Sequence, residues 1–175
     1  MEIRGLGYPA IIVGDMDRSL EFYQRAFGMR LLYVEPNRDD EESVQALLHA
    51  GNDSYVLLVG PKDPNLKLAE ASLGVSSMQY LALSVSGAVM DRAFYELANA
   101  GVSASEEIRR GYERLVFLED PSGVLIILSA WATEPPAGMS RAEVLEQANR
   151  LREAQGSPFV EDAHVRQAIE ELSSG

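Results

Sequence analysis

The chain of 175 residues contains no cysteine. Disulfides, thiolate nucleophiles, Fe–S clusters and cysteine-based zinc sites are thereby excluded. Histidine is nearly absent as well: only His49 and His164 occur, and two remote imidazoles do not assemble a Ser–His–Asp triad. Positive charge is scarce, with 15 Lys and Arg against 27 Asp and Glu and a formal net charge of -12. Nucleic acid and anionic membrane surfaces are poor partners for such a chain. No apolar run approaches the roughly 18 residues that a membrane-spanning helix needs. The N-terminus also lacks the basic patch and apolar stretch of a signal peptide, so cytoplasmic residence is expected. Gly5-Leu6-Gly7 is too short for a dinucleotide loop and has no strand before it, so no cofactor is expected.

What the chain does have is a globular composition, 46% hydrophobic and 24% charged, and a weak internal repeat. An offset of 72 residues sets Tyr8 against Tyr80, Ala10 against Ala82, Val13 against Val85, and Phe22-Tyr23 against Phe94-Tyr95. Glycines close both copies, Gly28 and Gly101, with one residue of slippage. Both copies have one local grammar. Residues 8–13 are apolar and read as a strand; Asp15 or Asp17 caps the helix that follows, Leu20, Tyr23 and Phe27 give it a buried face, and Gly28 ends it. Residues 29–34 form the next strand and 35–43 a polar loop. Residues 44–50 and 55–59 form two more strands around Gly51-Asn52-Asp53-Ser54.

Residues 60–77 read as a connector with a short helix near 68–72. The second copy then gives a strand over 78–85, a helix over 89–100, a weak strand over 104–108, and a hairpin of 112–119 and 124–128. Its turn, Asp120-Pro121-Ser122-Gly123, has aspartate, proline and glycine where a tight turn favours them. The class is α+β: paired β-α-β-β-β modules at about 3–60 and 78–130 in one domain, residues 1–130. Residues 131–175 form a two-helix extension. Ser140 and Glu143 suggest a capping box for the first of these helices, and Asp162 a cap for the second, whose Val165, Ile169 and Leu172 share a face.

The stretch from Ile12 through Asp15, Asp17 and Leu20 to Phe22-Tyr23, with the later Phe117-Leu118-Glu119-Asp120-Pro121-Ser122-Gly123, resembles the vicinal oxygen chelate superfamily. This is the glyoxalase, bleomycin-resistance-protein and extradiol-dioxygenase group, and the resemblance covers about residues 3–130. It implies two modules around a cleft, a homodimer, and in many members a divalent ion held by His and Glu. At the slots that the resemblance assigns to those ligands this chain has Tyr8, Leu57 or Leu58, Tyr80 and Ile127. Such side chains are poor donors for a divalent ion, so no metal is expected.

The remaining candidates are for binding. Tyr8 and Tyr80 open the two modules and offer flat faces with polar tips. Trp131 follows the last strand. Arg114 lies among basic residues near the last hairpin, where it shares a sheet face with Val116 and Leu118 and is a candidate for an anion. Phe22-Tyr23 and Phe94-Tyr95 are expected to pack into the core, His49 and His164 to be ordinary edge or surface residues, and Asp39-Asp40-Glu41-Glu42 to be a solvated loop. The expected function is binding of a small hydrophobic or planar molecule in the inter-module cleft. The alternatives are a divergent isomerase, lyase or dioxygenase-like enzyme working through Tyr8, Tyr80 and Glu119, and a protein-interaction module acting through the tail helices.

Overall fold

The repeat in the sequence becomes a repeat of architecture in the computed structural model, which describes residues 5–69 and 77–174. The first module is β1 (Ala10–Ile12), α1 (Met16–Phe27), β2 (Arg30–Pro36), β3 (Ser43–Gly51) and β4 (Ser54–Pro61). The second is β5 (Leu81–Ser84), α2 (Gly87–Asn99), β6 (Ile108–Arg110), β7 (Glu113–Glu119) and β8 (Leu125–Trp131), and α3 (Arg141–Ala154) and α4 (Asp162–Ser174) follow. The strands form two four-stranded sheets, ordered β1-β4-β3-β2 and β5-β8-β7-β6. The α+β class, the doubled β-α-β-β-β order and the two-helix extension therefore agree with the sequence. The chain divides into two compact units that interleave along it. The first runs to Leu81 and takes in Asn99–Ser103 and Glu119–Leu125; the second comprises Ala82–Ala98, Ala104–Leu118 and the residues from Ile126 onward.

In the first unit, β1 runs parallel to β4, and β4–β3 and β3–β2 are antiparallel. Cross-strand partners share a face. Ile11, Leu58 and Ala46 form one buried row, and Val56 with Leu48 the next. These rows face α1, whose Met16, Leu20 and Tyr23 recur at helical spacing and are buried. Each such leucine or tyrosine contributes about 1.5–3 kcal/mol by leaving water. Asp15 is the cap, accepting the Arg18 N–H at 3.0 Å, and Gly28 ends α1 with φ 64. Strand β2 runs two residues further than expected, so Glu35 lies in a strand and not in the loop. Pro36 pairs with Val44, and its missing N–H is harmless because β2 is an edge strand. The expected helix over 68–72 falls partly on residues 70–72, outside the described residues; Leu68 and Ala69 are not helical.

In the second unit, Ser86 caps α2, and Met90, Ala93 and Leu97 form its buried stripe. Phe94 and Tyr95 are consequently turned outward, Tyr95 to 70% exposure, where core packing had been expected. The sheet-facing arc belongs to Ala93 and its helical neighbours, and residues one and two further along rotate away from it. Strand β6 lies at Ile108–Arg110, and Ala104 makes only an isolated bridge to Leu118.

The tail helices pack on their own chain. Val144, Ala148, Val165 and Ala168 form a core with Trp131 at the end of β8. Ser140 caps α3 through the Glu143 N–H. At α4 the cap differs from expectation. Helical bonding starts from Glu161, whose carbonyl accepts the Val165 N–H, and the His164 Nδ1 accepts the Glu161 N–H at 3.0 Å. Asp162 is already inside the helix and pairs with Arg166 at 3.2 Å.

Gly111, between β6 and β7, has φ 61, and a Cβ added there would meet the Val160 carbonyl oxygen at 2.6 Å. Gly156 has a similar φ of 67 with nothing within 4 Å. Gly156→Ala is therefore expected to cost about 1 kcal/mol, the left-handed backbone penalty alone. Gly111→Ala adds a backbone clash and is expected to cost about 2–4 kcal/mol. Urea denaturation of both variants checks this, and equal midpoints would contradict the close approach.

Candidate functional site

Tyr23 is fully buried on α1 and donates its O–H to Asp120 Oδ2 at 3.0 Å. The other oxygen, Asp120 Oδ1, accepts the N–H groups of Ser122 and Val124, both at 2.8 Å. The Asp120 carbonyl closes the turn to the Gly123 N–H at 3.0 Å. Ser122 Oγ in turn accepts the Gly14 N–H at 3.2 Å. The turn anticipated from Asp120-Pro121-Ser122-Gly123 is thus a buried polar node. The Tyr23 link was missed because a helical aromatic reads as plain core. The usable signal was that a buried tyrosine needs a partner for its hydroxyl.

The faces turned away from the helices hold the other polar groups. In the first sheet Ile12, Val59, Gln45 and Glu35 lie in one register row. Ile12 is 72% exposed. Gln45 Nε2 donates to Glu35 Oε1 at 2.8 Å. The neighbouring row is Ala10, Leu57, Leu47 and Tyr33.

In the second sheet the Val85 N–H donates to the Ser129 carbonyl at 2.9 Å, as Val13 does to Val59 at 2.8 Å. Ser84 and Ser129 therefore hold the places of Ile12 and Val59. Ser129 Oγ donates to Glu113 Oε1 at 2.9 Å, and Arg141 Nη1 donates to Ser84 Oγ at 3.2 Å. Each sheet thus carries one carboxylate with a neutral hydrogen-bond partner, but not in equivalent rows: Glu35 shares the row of Val59, whereas Glu113 pairs with Arg110 one row beyond Ser129 and reaches it diagonally. Neither couple is visible in the sequence: Glu35 reads as part of a polar loop, and Glu113 meets Ser129 only across the hairpin.

Tyr8 lies in coil two residues ahead of β1 and is 56% exposed; Tyr80 lies directly ahead of β5 and is half-buried. Arg114 is on the α2 side of its sheet. Its Nε donates to Glu107 Oε1 at 2.9 Å, and its Nη2 to Glu107 Oε2 at 2.6 Å and Asp91 Oδ1 at 2.7 Å. These bonds push the guanidinium further up from its ordinary range, and the Arg114 hydrogen bond holds the Glu107 carboxyl below its own. An anion at Arg114 would have to displace one of these carboxylates. Trp131 is 8% exposed, with Tyr112 edge-on at 5.1 Å and the Arg141 guanidinium over its ring at 5.1 Å. A ligand stacking there would have to displace those groups. Arg114 and Trp131 thus lie in separate polar and apolar settings of the second unit.

The equivalence of Val59 with Ser129 makes Leu57 the counterpart of Ile127, while Leu58 faces α1. The slots that the family resemblance assigns to a divalent ion are then Tyr8, Leu57, Tyr80 and Ile127. Two hydrocarbons and two phenols do not fit such an ion. Among the described residues there is no group of three or more His, Cys, Asp or Glu that could hold one.

Burial, and then the charge of Asp120, push the Tyr23 phenol up from its ordinary value. A raised folded value means stability that is whole below about pH 10, the unfolded tyrosine range, and declines above it. Tyr23→Phe is expected to cost about 1.5–3 kcal/mol at neutral pH, the worth of a hydrogen bond to a charged group. The same variant should show a shallower loss of stability between neutral pH and alkaline pH, read by urea midpoints. An unchanged alkaline limb would count against the Tyr23–Asp120 link. For the depressed Glu107 the sign is opposite. Its contribution is present above the ordinary glutamate range near ~4.3 and is lost as pH falls below it, so Glu107→Gln should flatten the acid limb.

Residues 5–128 match the family described as the Glyoxalase/Bleomycin resistance protein/Dioxygenase superfamily. No curated protein matches the chain. Among solved structures, a glyoxylase/bleomycin resistance protein/dioxygenase domain from Frankia sp. EAN1pec is similar with TM-score 0.64 and 14% identity, over 74% of this chain and 99% of that one. The fosfomycin resistance protein FosX from Mesorhizobium loti is similar with TM-score 0.55 and 21% identity, over 83% and 99%. A variant of FosX from Listeria monocytogenes, complexed with Mn(II) and 1S,2S-dihydroxypropylphosphonic acid, is similar with TM-score 0.56 and 18% identity, over 76% and 95%. At these identities the likeness of structures speaks for the fold, and the family match over most of the chain, on the doubled β-α-β-β-β frame, settles membership: the protein belongs to the glyoxalase/bleomycin resistance protein/dioxygenase superfamily.

Proposed function

We propose that the protein binds a small hydrophobic or planar molecule on the open faces of its sheets, without the divalent ion held by its Listeria relative. One observation carries the reading. At Leu57 the open face of the first sheet is a half-buried hydrocarbon, and one row away it keeps a hydrogen-bonded carboxylate, Glu35; in the second sheet the equivalent Ile127 is itself buried, and Glu113 lies two rows from it. Apolar walls with a few placed polar groups are what a small-molecule site requires. Tyr8 and Tyr80 stand ahead of the opening strands as further walls, and the net charge of -12 favours cationic compounds. The proposal includes cytoplasmic residence and a homodimer, for which the family resemblance and the exposed Phe94 and Tyr95 speak.

Native mass spectrometry against a library of planar compounds is expected to retain one ligand per chain. Leu57→Asp should abolish that retention, and Glu35→Gln should weaken it for cationic ligands. Elemental analysis after dialysis should find well below one equivalent of metal. Sedimentation should give twice the 19.2 kDa chain mass. Failure of every ligand, or retention unaffected by Leu57→Asp, would overturn the open-face site; one equivalent of bound Zn, Ni, Mn or Fe would overturn the metal-free reading; a strict monomer would overturn the dimer. The two carboxylate couples favour an acid–base enzyme as the second reading. Deuterium uptake into a retained ligand in D2O, lost in Glu113→Gln, would decide for it.

A further inference from the structure

Where the open face of the first sheet ends at Ile12, the chain turns through Gly14 and Asp15 into α1, and a cavity of about 510 Å³ opens. Three stretches of the first unit wall it: the start of α1 as far as Arg18, the segment from Leu66 to Ala69, and Pro121-Ser122. The Gly14–Ser122 hydrogen bond fastens the first stretch to the third. Ile12, Leu66, Leu68 and Pro121 give the cavity an apolar side, and the first three are large hydrophobics left exposed. The volume is in the range of small-molecule pockets, roughly 300–1,000 Å³.

Charge selects the occupant. Arg18 and Lys67 line the cavity, and neither makes an ion pair among the described residues. The cavity's one carboxylate, Asp15, is engaged as the cap of α1 through Oδ1. Two cations and one carboxylate leave a single net positive charge, in a chain whose total is -12. An excess cation beside exposed hydrocarbon has an obvious complement. We propose that this cavity binds an amphipathic monoanion, a carboxylate with an alkyl or aryl body. Its head group is met by the Arg18 fork and the Lys67 ammonium, and its body covers Leu66 and Leu68. The site shares Ile12 with the open face proposed above but neither Leu57 nor Glu35.

Calorimetry on the full chain with octanoate, below its micellar concentration, tests the proposal, with octanol and octylamine as probes of equal length. Octanoate is expected to bind saturably at one per chain, at least tenfold more tightly than either neutral or cationic probe, and more weakly as salt rises. Arg18→Gln and Lys67→Gln should each weaken octanoate about tenfold and leave octanol unchanged. Both residues are at the surface, so circular dichroism should show both variants folded. Leu57→Asp, the variant that disables the open face, should leave octanoate binding intact, so the two proposals fail separately. Octanoate binding no tighter than octanol, no saturable binding at millimolar concentration, or undiminished binding by the Arg18→Gln/Lys67→Gln double variant would each overturn the assignment.

Discussion

A single carboxylate, Asp120, holds the first unit in register. It is 5% exposed, and a buried carboxylate is tolerable only when its oxygens are hydrogen-bonded. Here three donors serve it: two backbone N–H groups of its own turn and the phenol of Tyr23, 97 positions away in the chain. The turn shapes Pro121 and Ser122, and Ser122 then receives the Gly14 N–H. Helix α1, the end of β1 and the 119–125 segment are thereby fixed to one another by polar contacts of defined geometry. The apolar packing beneath them is stronger in sum but does not select a register so narrowly. Pro121 walls the cavity at the start of α1, so the shape of that cavity follows from the same node.

Each sheet obeys one rule on its helix side and relaxes it on the other. Toward α1 the rows are Ile11–Leu58–Ala46 and Val56–Leu48, closed and apolar. On the opposite side Glu35 and Glu113 are retained, half-buried, each with one oxygen engaged by a neutral partner. A half-buried carboxylate with one neutral hydrogen bond keeps acceptor capacity for something else. Arg114 shows the contrast. It lies on the α2 side, and Glu107 and Asp91 engage both its Nε and Nη2. Polar groups on the two sides of the second sheet therefore differ in what they leave open to a ligand.

The fold was legible because its signals are local and doubled. Asp15 and Gly28 bound α1 as expected, Asp120 and Gly123 close the last hairpin, and the strand order follows from turns that glycine and aspartate mark. The site was less legible because its groups depend on facing and pairing. Glu35 is a strand residue only because β3 extends a partner for Pro36. Phe94 and Tyr95 match Phe22 and Tyr23 in sequence, yet a helix exposes or buries an aromatic according to which neighbours take the sheet-facing arc. Ser129 and Glu113 are 16 positions apart and meet only across a hairpin. His164, expected to be ordinary, is a buried cap of α4 because Glu161 begins that helix one residue before the anticipated aspartate.

The divergence of the two copies bears most directly on function. The repeat makes Tyr8 the counterpart of Tyr80, Leu57 of Ile127, Val59 of Ser129 and Ile12 of Ser84. The slots that the resemblance assigns to a metal are hydrocarbon or phenol in both copies. The row next to them is not shared. In the first sheet it runs hydrocarbon, hydrocarbon, amide, carboxylate; in the second it opens with two hydroxyls and ends in the hydrocarbons Leu115 and Ile108, Glu113 reaches Ser129 from the next row, and the tail helix α3 brings Arg141 to Ser84. Arg141 also lies over Trp131 and pairs with Glu134, so its reach to Ser84 is set by the packing of α3 and α4 on the end of β8. The extension thus does more than cover an apolar strand end. It brings a cation to a row where the first copy has only Ile12, so one repeated frame carries two chemically different faces, an apolar one ending in an amide and a carboxylate and one of hydroxyls and charge.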